Sequence, residues 1–181
     1  MTLQRIDPIE PPYPDDVQSA FDAVMRGAPP LLLFRTVAQN PRVLERMMAS
    51  NLLDRGSIAL RARELMILRT CARCGAAYEW GVHVATFAAK AGIDDRQQRS
   101  TVHGTPDDDC WDGDDAVVLR LADRLHETND VDDGLWADAA ARFSAAQLVE
   151  LVMLAGLYHA VSYLVNAMRV AREPFAPAFP S

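Results

Sequence analysis

Cysteine is scarce in this 181-residue sequence, which has only Cys71, Cys74 and Cys110. A small secreted domain stapled by disulfides needs more, so the fold has to come from packing. Positive charge is also in short supply. Lys and Arg number 18 against 25 Asp and Glu, for a formal net charge of −7. Recognition of a phosphate backbone rests on clustered cations, so no nucleic-acid partner is expected. The chain has no alternating apolar and polar runs and no hairpin signal between β-rich segments. It has no fixed-period repeat either, which removes sheet and solenoid architectures. Neither a G-x-G-x-x-G nor a P-loop occurs, so no nucleotide is implied and no cofactor is expected. Residues Met1 to Pro14 contain no basic segment followed by an apolar run, which points to a cytoplasmic protein without a signal peptide.

Hydrophobic residues make up 50% of the chain, enough to fill the core of one domain of this length. Prolines punctuate both ends: Pro8, Pro11, Pro12 and Pro14, then Pro174, Pro177 and Pro180. Proline fixes φ and lacks a donor, so an extended arm over residues 1–14 and an extended tail over 173–181 are expected. Such ends are either disordered or laid across a neighbouring subunit. Between them, residues 15–172 read as one all-α domain. Asp15 and Asp16 offer a first cap, Asn40-Pro41 opens another helix, and a long helical segment runs from Ile58 to Ala91 with a break at Gly75. Ser144 caps a final helix that reaches about Arg172. Within it, Leu151 to Met168 carries no Lys, Arg, Asp or Glu over 18 residues, the threshold length for a membrane span. His159, Ser162, Tyr163 and Asn166 are unfavourable in lipid, so the segment is read as a deeply buried helix and no membrane partner is expected.

Chemistry concentrates in one stretch, RARELMILRTCARCGAAYEWGVHVATFAAKAG, from Arg61 to Gly92. Glu79 and His83 lie four apart, on one face of a helix, where a carboxylate can set the imidazole tautomer and raise its basicity. The same spacing also describes an ordinary solvated pair. Glu64 can serve the site or pair on the surface with Arg61 or Arg63. Trp80 and Phe87 suit a core as well as a substrate platform.

The run RARELMILR, then GAAYEWGVH, then a closing A-x-x-A-G, resembles the carboxymuconolactone decarboxylase and alkylhydroperoxidase D-like superfamily. The resemblance spans roughly the middle half of the chain and implies a helical bundle of that kind. In the superfamily's peroxidase branch a glutamate is followed twelve residues later by the first cysteine of a C-x-x-C, with a histidine four beyond the second. Counting from Glu64, those positions hold Ala76, Glu79 and His83, so the acid and the histidine match and both cysteines do not. The decarboxylase branch tends to read E-Y-E-W-x-x-H, closer to Ala77-Tyr78-Glu79-Trp80-Gly81-Val82-His83 here. The resemblance implies a decarboxylase-like enzyme acting on a small organic acid or lactone. His83 and Glu79 would handle protons, Glu64 would tune them, and Tyr78 would donate to a developing enolate, with Trp80 and His159 as substrate contacts. An acidic substrate would call on Arg61, Arg63, Arg69 or Arg73. The resemblance also implies a homo-oligomer, with trimers or hexamers favoured.

The chain does contain a C-x-x-C, Cys71 to Cys74, five residues too early for that branch. A hydroperoxide reductase using this displaced pair is the alternative enzyme, and a non-catalytic oligomeric scaffold is a third reading. Thiols inside a helix lack the dipole assistance of a helix N-terminus, so two small buried residues are the simpler account. The aspartate-rich loop from Asp107 to Asp115 does not satisfy an EF-hand: with Asp108 first, Cys110 falls third and Leu119 twelfth. No H-E-x-x-H and no second C-x-x-C occur, so no metal is assigned. A Glu79, His83 and His159 cluster would require the last helix to pack on the motif helix. Tyr158, His159, Tyr163 and Asn166 are either satisfied internally or line the cavity, and His159 is the one favoured for the cavity.

Overall fold

The computed structural model describes residues 4–50 and 52–181; the first three residues of the expected arm lie outside them. Every regular element among the described residues is helical. In order they are α1 (Asp15–Met25), α2 (Leu32–Val37), α3 (Pro41–Ala49), α4 (Leu60–Arg73), α5 (Ala77–His83), a π-helical turn (Val84–Ala88), α6 (Asp95–His103), α7 (Gly113–Thr128), α8 (Asp133–Ala140) and α9 (Ala145–Met168). Side-chain caps set most starts. Asn40 caps α3 with Pro41 at its first position, Asp112 and Asp132 cap α7 and α8, and Asp94 and Ser144 form reciprocal capping boxes with Gln97 and Gln147. Helix α1 differs from the expectation. Asp15 and Asp16 lie in its first turn, favouring the dipole there, and Pro14 occupies the cap position. Gly75, at φ +64, makes the left-handed turn that separates α4 from α5.

Helix α4 is the hub and packs on α5, α6, α7 and α9. Every residue from Arg63 to Cys71 is buried. Such enclosure requires the charges on α4 to be paired inside. Arg69 is fully buried. Its Nε and Nη2 donate to the Asp123 carboxylate at 2.6 and 2.8 Å, and its Nη1 donates to the carbonyls of Ser100, Thr101 and Gly104. Arg73 donates to the same carboxylate at 2.7 Å. Burial alone would raise the Asp123 carboxyl, but Arg73 and Arg69 hold it below the ordinary range.

Helix α9 corrects the expectation of a deeply buried helix. It is long and apolar enough to cross a membrane, yet only 44% of its most apolar window is buried. Leu151, Leu154, Ala155, Tyr158, Val161, Ser162 and Val165 face inward, while Val149, Val152, Met153 and Tyr163 are exposed. Absence of charge marked this helix in the sequence, but the enclosed element is the arginine-bearing α4.

Both ends lie against the chain's own body. The Arg5 N–H donates to the Met168 carbonyl at 2.9 Å and the Ile9 N–H to Arg35 at 3.1 Å. The tail crosses α5 at Gly81, where an added Cβ would come within 2.3 Å of the Pro177 carbonyl oxygen. Phe179 then packs edge-on against Trp80, and the Pro180 carbonyl faces His103 Nε2 at 2.7 Å.

Candidate active site

Helices α4, α5 and α9 bring four polar side chains together in the core. Glu64 comes from α4, Glu79 and His83 from one face of α5, and Tyr158 from the inner face of α9. All four are buried, Glu64 completely. His83 Nδ1 lies 2.8 Å from Glu64 Oε2. On the other side of the ring, Nε2 lies 2.9 Å from the Tyr158 hydroxyl and 3.4 Å from Glu79 Oε1. Arg63 closes the group from behind, donating through Nε to Glu64 Oε1 at 2.9 Å and through Nη1 to the Leu53 carbonyl at 2.7 Å.

The π turn follows His83 directly and seats Phe87 beside it, with ring centroids 5.3 Å apart. The Arg63 guanidinium covers the same Phe87 ring at 5.1 Å. Wider turns of this kind frequently occur at functional sites, because they re-aim a side chain without ending the helix.

Two carboxylates facing two cations make the cluster neutral overall. Burial pushes the His83 imidazole down, but hydrogen bonds to Glu64 and Glu79, together with their charges, raise it to about 9. His83 is therefore an imidazolium at neutral pH, with Nδ1–H donating to Glu64 and Nε2–H shared between Tyr158 and Glu79. The Tyr158 hydroxyl is pushed well up by burial and by the Glu79 charge, so it stays protonated and available as a donor.

Glu79 and Tyr158 form one wall of a cavity of about 50 Å³, completed by Phe34, Met47, Met48, Leu52, Leu53, Leu157 and Val161. Glu79 Oε2 is buried with no hydrogen-bond partner. An unpaired buried carboxylate oxygen is costly unless something completes it. It therefore marks the point at which a ligand would engage the cluster. His83 and Glu64 stand behind this wall and do not line it.

Three of the residues read from the sequence as site groups lie elsewhere. The Tyr78 hydroxyl donates to Glu173 Oε1 at 2.7 Å and accepts from the Leu33 N–H at 3.0 Å, so it ties the tail to α2 and does not face the cavity. Trp80 is buried in the core, where its Nε1–H donates to Thr101 Oγ1 at 3.0 Å. His159 points away from His83, towards His126, at 3.1 Å. Helix α9 does pack on α5, but a Glu79, His83 and His159 grouping does not form. Its adjacent residue Tyr158 takes the inward place, which a helix apolar on nearly every face gave no phase to reveal.

The remaining candidates are the thiols and arginines. Cys71 is fully buried and its thiol is pushed well up, by burial first and then by Glu79 and Cys74. Half-buried Cys74 is raised by burial, with Ser162 acting in the opposite sense. Arg61 is committed to Asp115 and to the carbonyls of Ala91 and Gly92. Arg63, Arg69 and Arg73 are paired as described. None of the four lines the cavity.

No family model and no curated protein sequence matches the chain. Solved structures do. An uncharacterized peroxidase-related protein from Silicibacter sp. TM1040 superposes with a TM-score of 0.81 at 15% identity, covering 94% of this chain and 92% of that one. A peroxidase-related protein from Ralstonia eutropha JMP134, described as an alkylhydroperoxidase AhpD core, gives 0.81 at 14%, over 96% and 94%. A cysteine-to-alanine variant of the debrominase Bmp8, in complex with 2,3,4-tribromopyrrole, gives 0.74 at 14%, over 97% and 94%. Identities this low establish a shared fold.

Proposed function

We propose that this chain, which has the alkylhydroperoxidase D-like fold, is an acid–base enzyme for a small, largely apolar carbonyl compound of the lactone type. The observation that carries this reading is the unpaired Glu79 carboxylate oxygen in the wall of an otherwise apolar cavity, with a protonated His83 behind it. Glu79 is the base that takes a proton from carbon or returns it there. Tyr158 is the donor to the oxygen on which negative charge develops. His83 positions both groups, and its Nε2–H to the Tyr158 oxygen makes the phenolic proton a better donor. Glu64 and Arg63 hold the imidazolium in place. Apolar walls strengthen each of these interactions by excluding water.

The arginine pairings refine the substrate class. A carboxylate entering the cavity would meet Glu79 and no uncommitted cation, which favours a neutral lactone over an organic acid. Proton transfer beside the carbonyl is favoured over decarboxylation for the same reason. Bmp8 was crystallised with a small neutral halogenated ring, and the cavity walls here suit a compact apolar body of that general kind.

The test is a panel of unsaturated lactones, with and without a carboxyl group, incubated in deuterated buffer and followed by NMR for exchange, isomerisation and loss of carbon dioxide. Exchange or isomerisation of a neutral lactone is expected. It should fall about 100-fold or more in Glu79→Gln, as general-base removal does, and persist in Cys71→Ser/Cys74→Ser. Hydroperoxide consumption with a dithiol that disappears in the double cysteine variant and survives in Glu79→Gln would replace this reading with thiol peroxidase chemistry. Lactone binding without any exchange would leave the scaffold.

A further inference from the structure

A second constellation forms where α9 meets the ends of α4 and α7, one residue along from Tyr158. Cys74 ends α4, His126 is in the last turn of α7, and His159 projects from α9. Their side chains converge: Cys74 Sγ is 3.7 Å from His126 Nδ1, and His126 Nδ1 is 3.1 Å from His159 Nε2. All three atoms lie within 4.8 Å of one another, and all three residues are half-buried. None of them lines the cavity beside Glu79.

The hydrogen-bond pattern around this group turns a lone pair of His159 towards the other two side chains. His159 Nδ1 faces the Ala155 carbonyl at 2.9 Å, so it carries the proton and Nε2 is left as an acceptor. His126 Nδ1 faces both that lone pair and the Cys74 sulfur. The two imidazole rings stack with centroids 5.3 Å apart, which leaves little room for both to be charged. Burial, His159 and Arg73 each disfavour a charged His126. Arg73, next to the group, shares the Asp123 carboxylate with Arg69, and Asn166 Nδ2 pins the Cys74 carbonyl at 2.8 Å, fixing the end of α4.

The spacing fits a metal. Tetrahedral zinc has bonds of about 2.3 Å to sulfur and about 2.05 Å to nitrogen, which sets S···N near 3.6 Å and N···N near 3.3 Å. The Cys74 to His126 and His126 to His159 distances here are 3.7 and 3.1 Å, and the third, from Cys74 to His159, lies within 4.8 Å. One thiolate and two imidazoles are also the donor set a borderline-soft divalent ion selects over harder cations.

We propose that Cys74, His126 and His159 form a binding site for one divalent cation of the zinc class, with the fourth tetrahedral position taken by water or an external ligand. Binding displaces the Cys74 thiol proton to solvent and shifts the His126 ring proton from Nδ1 to Nε2, so one proton is released per ion bound. It also withdraws Cys74 from any redox pairing with Cys71. The site stands independently of the lactone chemistry.

The experiment uses the full chain, stripped with chelator and titrated with cobalt(II), then with zinc. Expected is saturation at one cobalt per chain, with intense visible bands of a four-coordinate ion and a near-ultraviolet thiolate-to-cobalt band that zinc bleaches. Cys74→Ser should lose the thiolate band, and His159→Ala should weaken uptake about tenfold or more. Cys110→Ser should change nothing. Circular dichroism of each variant checks folding, and His126→Gln provides a further, near-isosteric variant. No saturable uptake in the micromolar range would overturn the proposal. So would a six-coordinate spectrum unchanged in both Cys74→Ser and His159→Ala.

Discussion

Replacing Glu64 by Gln removes one negative charge from the buried cluster while keeping its shape. In the native protein Glu64 and Glu79 balance Arg63 and the His83 imidazolium, and His83 is raised from 6.5 to about 9. A histidine raised on folding contributes stability that is fully present below the unfolded value of 6.5. That contribution is lost as pH rises through about 9. Expressed in full it is roughly 3 kcal/mol, and most of it is present at pH 7. Glu64→Gln leaves two cations facing one carboxylate, so the imidazole releases its proton and burial drives its pKa down. The variant loses that contribution and also leaves Arg63 without its partner, for a total of about 3–5 kcal/mol, as for other broken buried pairs. Urea unfolding at intervals from pH 6 to pH 9.5, with NMR titration of the His83 ring identified by comparison with His83→Gln, measures both effects. The native protein should lose stability steadily from about pH 6.5 to 9, and Glu64→Gln should be weaker at pH 7 and much flatter over that range. A native His83 that titrates at or below 6.5, or a native stability flat across this interval, would refute the buried imidazolium and the proton inventory built on it.

Asp123→Asn should destabilise the chain by about 3–5 kcal/mol, because it strips fully buried Arg69 of its carboxylate, and denaturant unfolding checks this. In metal-free native protein a thiol-reactive disulfide reagent should leave Cys71 untouched until denaturant is added, while half-buried Cys74 and Cys110 react first. The homo-oligomer expected from the sequence would use the exposed α9 residues Val149, Val152, Met153 and Tyr163. Sedimentation equilibrium should show an assembly that Met153→Asp weakens, and a monomer unaffected by that change would remove the interface.

Helical class and the starts at Asn40-Pro41 and Ser144 were legible in the sequence, because they depend on local signals, whereas the cap read at Asp15 and Asp16 falls to Pro14. Asn40-Pro41 and Ser144 act within one turn of the residues they cap; the reciprocal boxes of Asp94 with Gln97 and Ser144 with Gln147 came from the structure. The Glu79 and His83 pairing was equally local, since helical geometry alone places residues four apart on one face. The motif also singled out Glu64, but only tertiary structure, by packing α4 against α5, puts its carboxylate 2.8 Å from His83.

The rest depended on which side of a helix meets which neighbour. Tyr158 and His159 are adjacent on a helix whose apolar residues surround it, so composition could not say which would turn inward. Packing of α9 on α4 and α5 turned Tyr158 to His83 and carried His159 to His126 and Cys74. Tyr78 left the expected site because the tail, returning across Gly81, placed Glu173 within reach of its hydroxyl. Charge misled in a similar way: α4 keeps its arginines and is enclosed, whereas α9, uncharged from Leu151 onward, is half exposed. A buried charge needs a partner, and the partners of Arg69 lie 31 to 54 residues further along the chain. Local sequence determined which helices form and which side chains share a face; long-range packing determined which of those side chains meet, because such contacts join residues that no local signal relates.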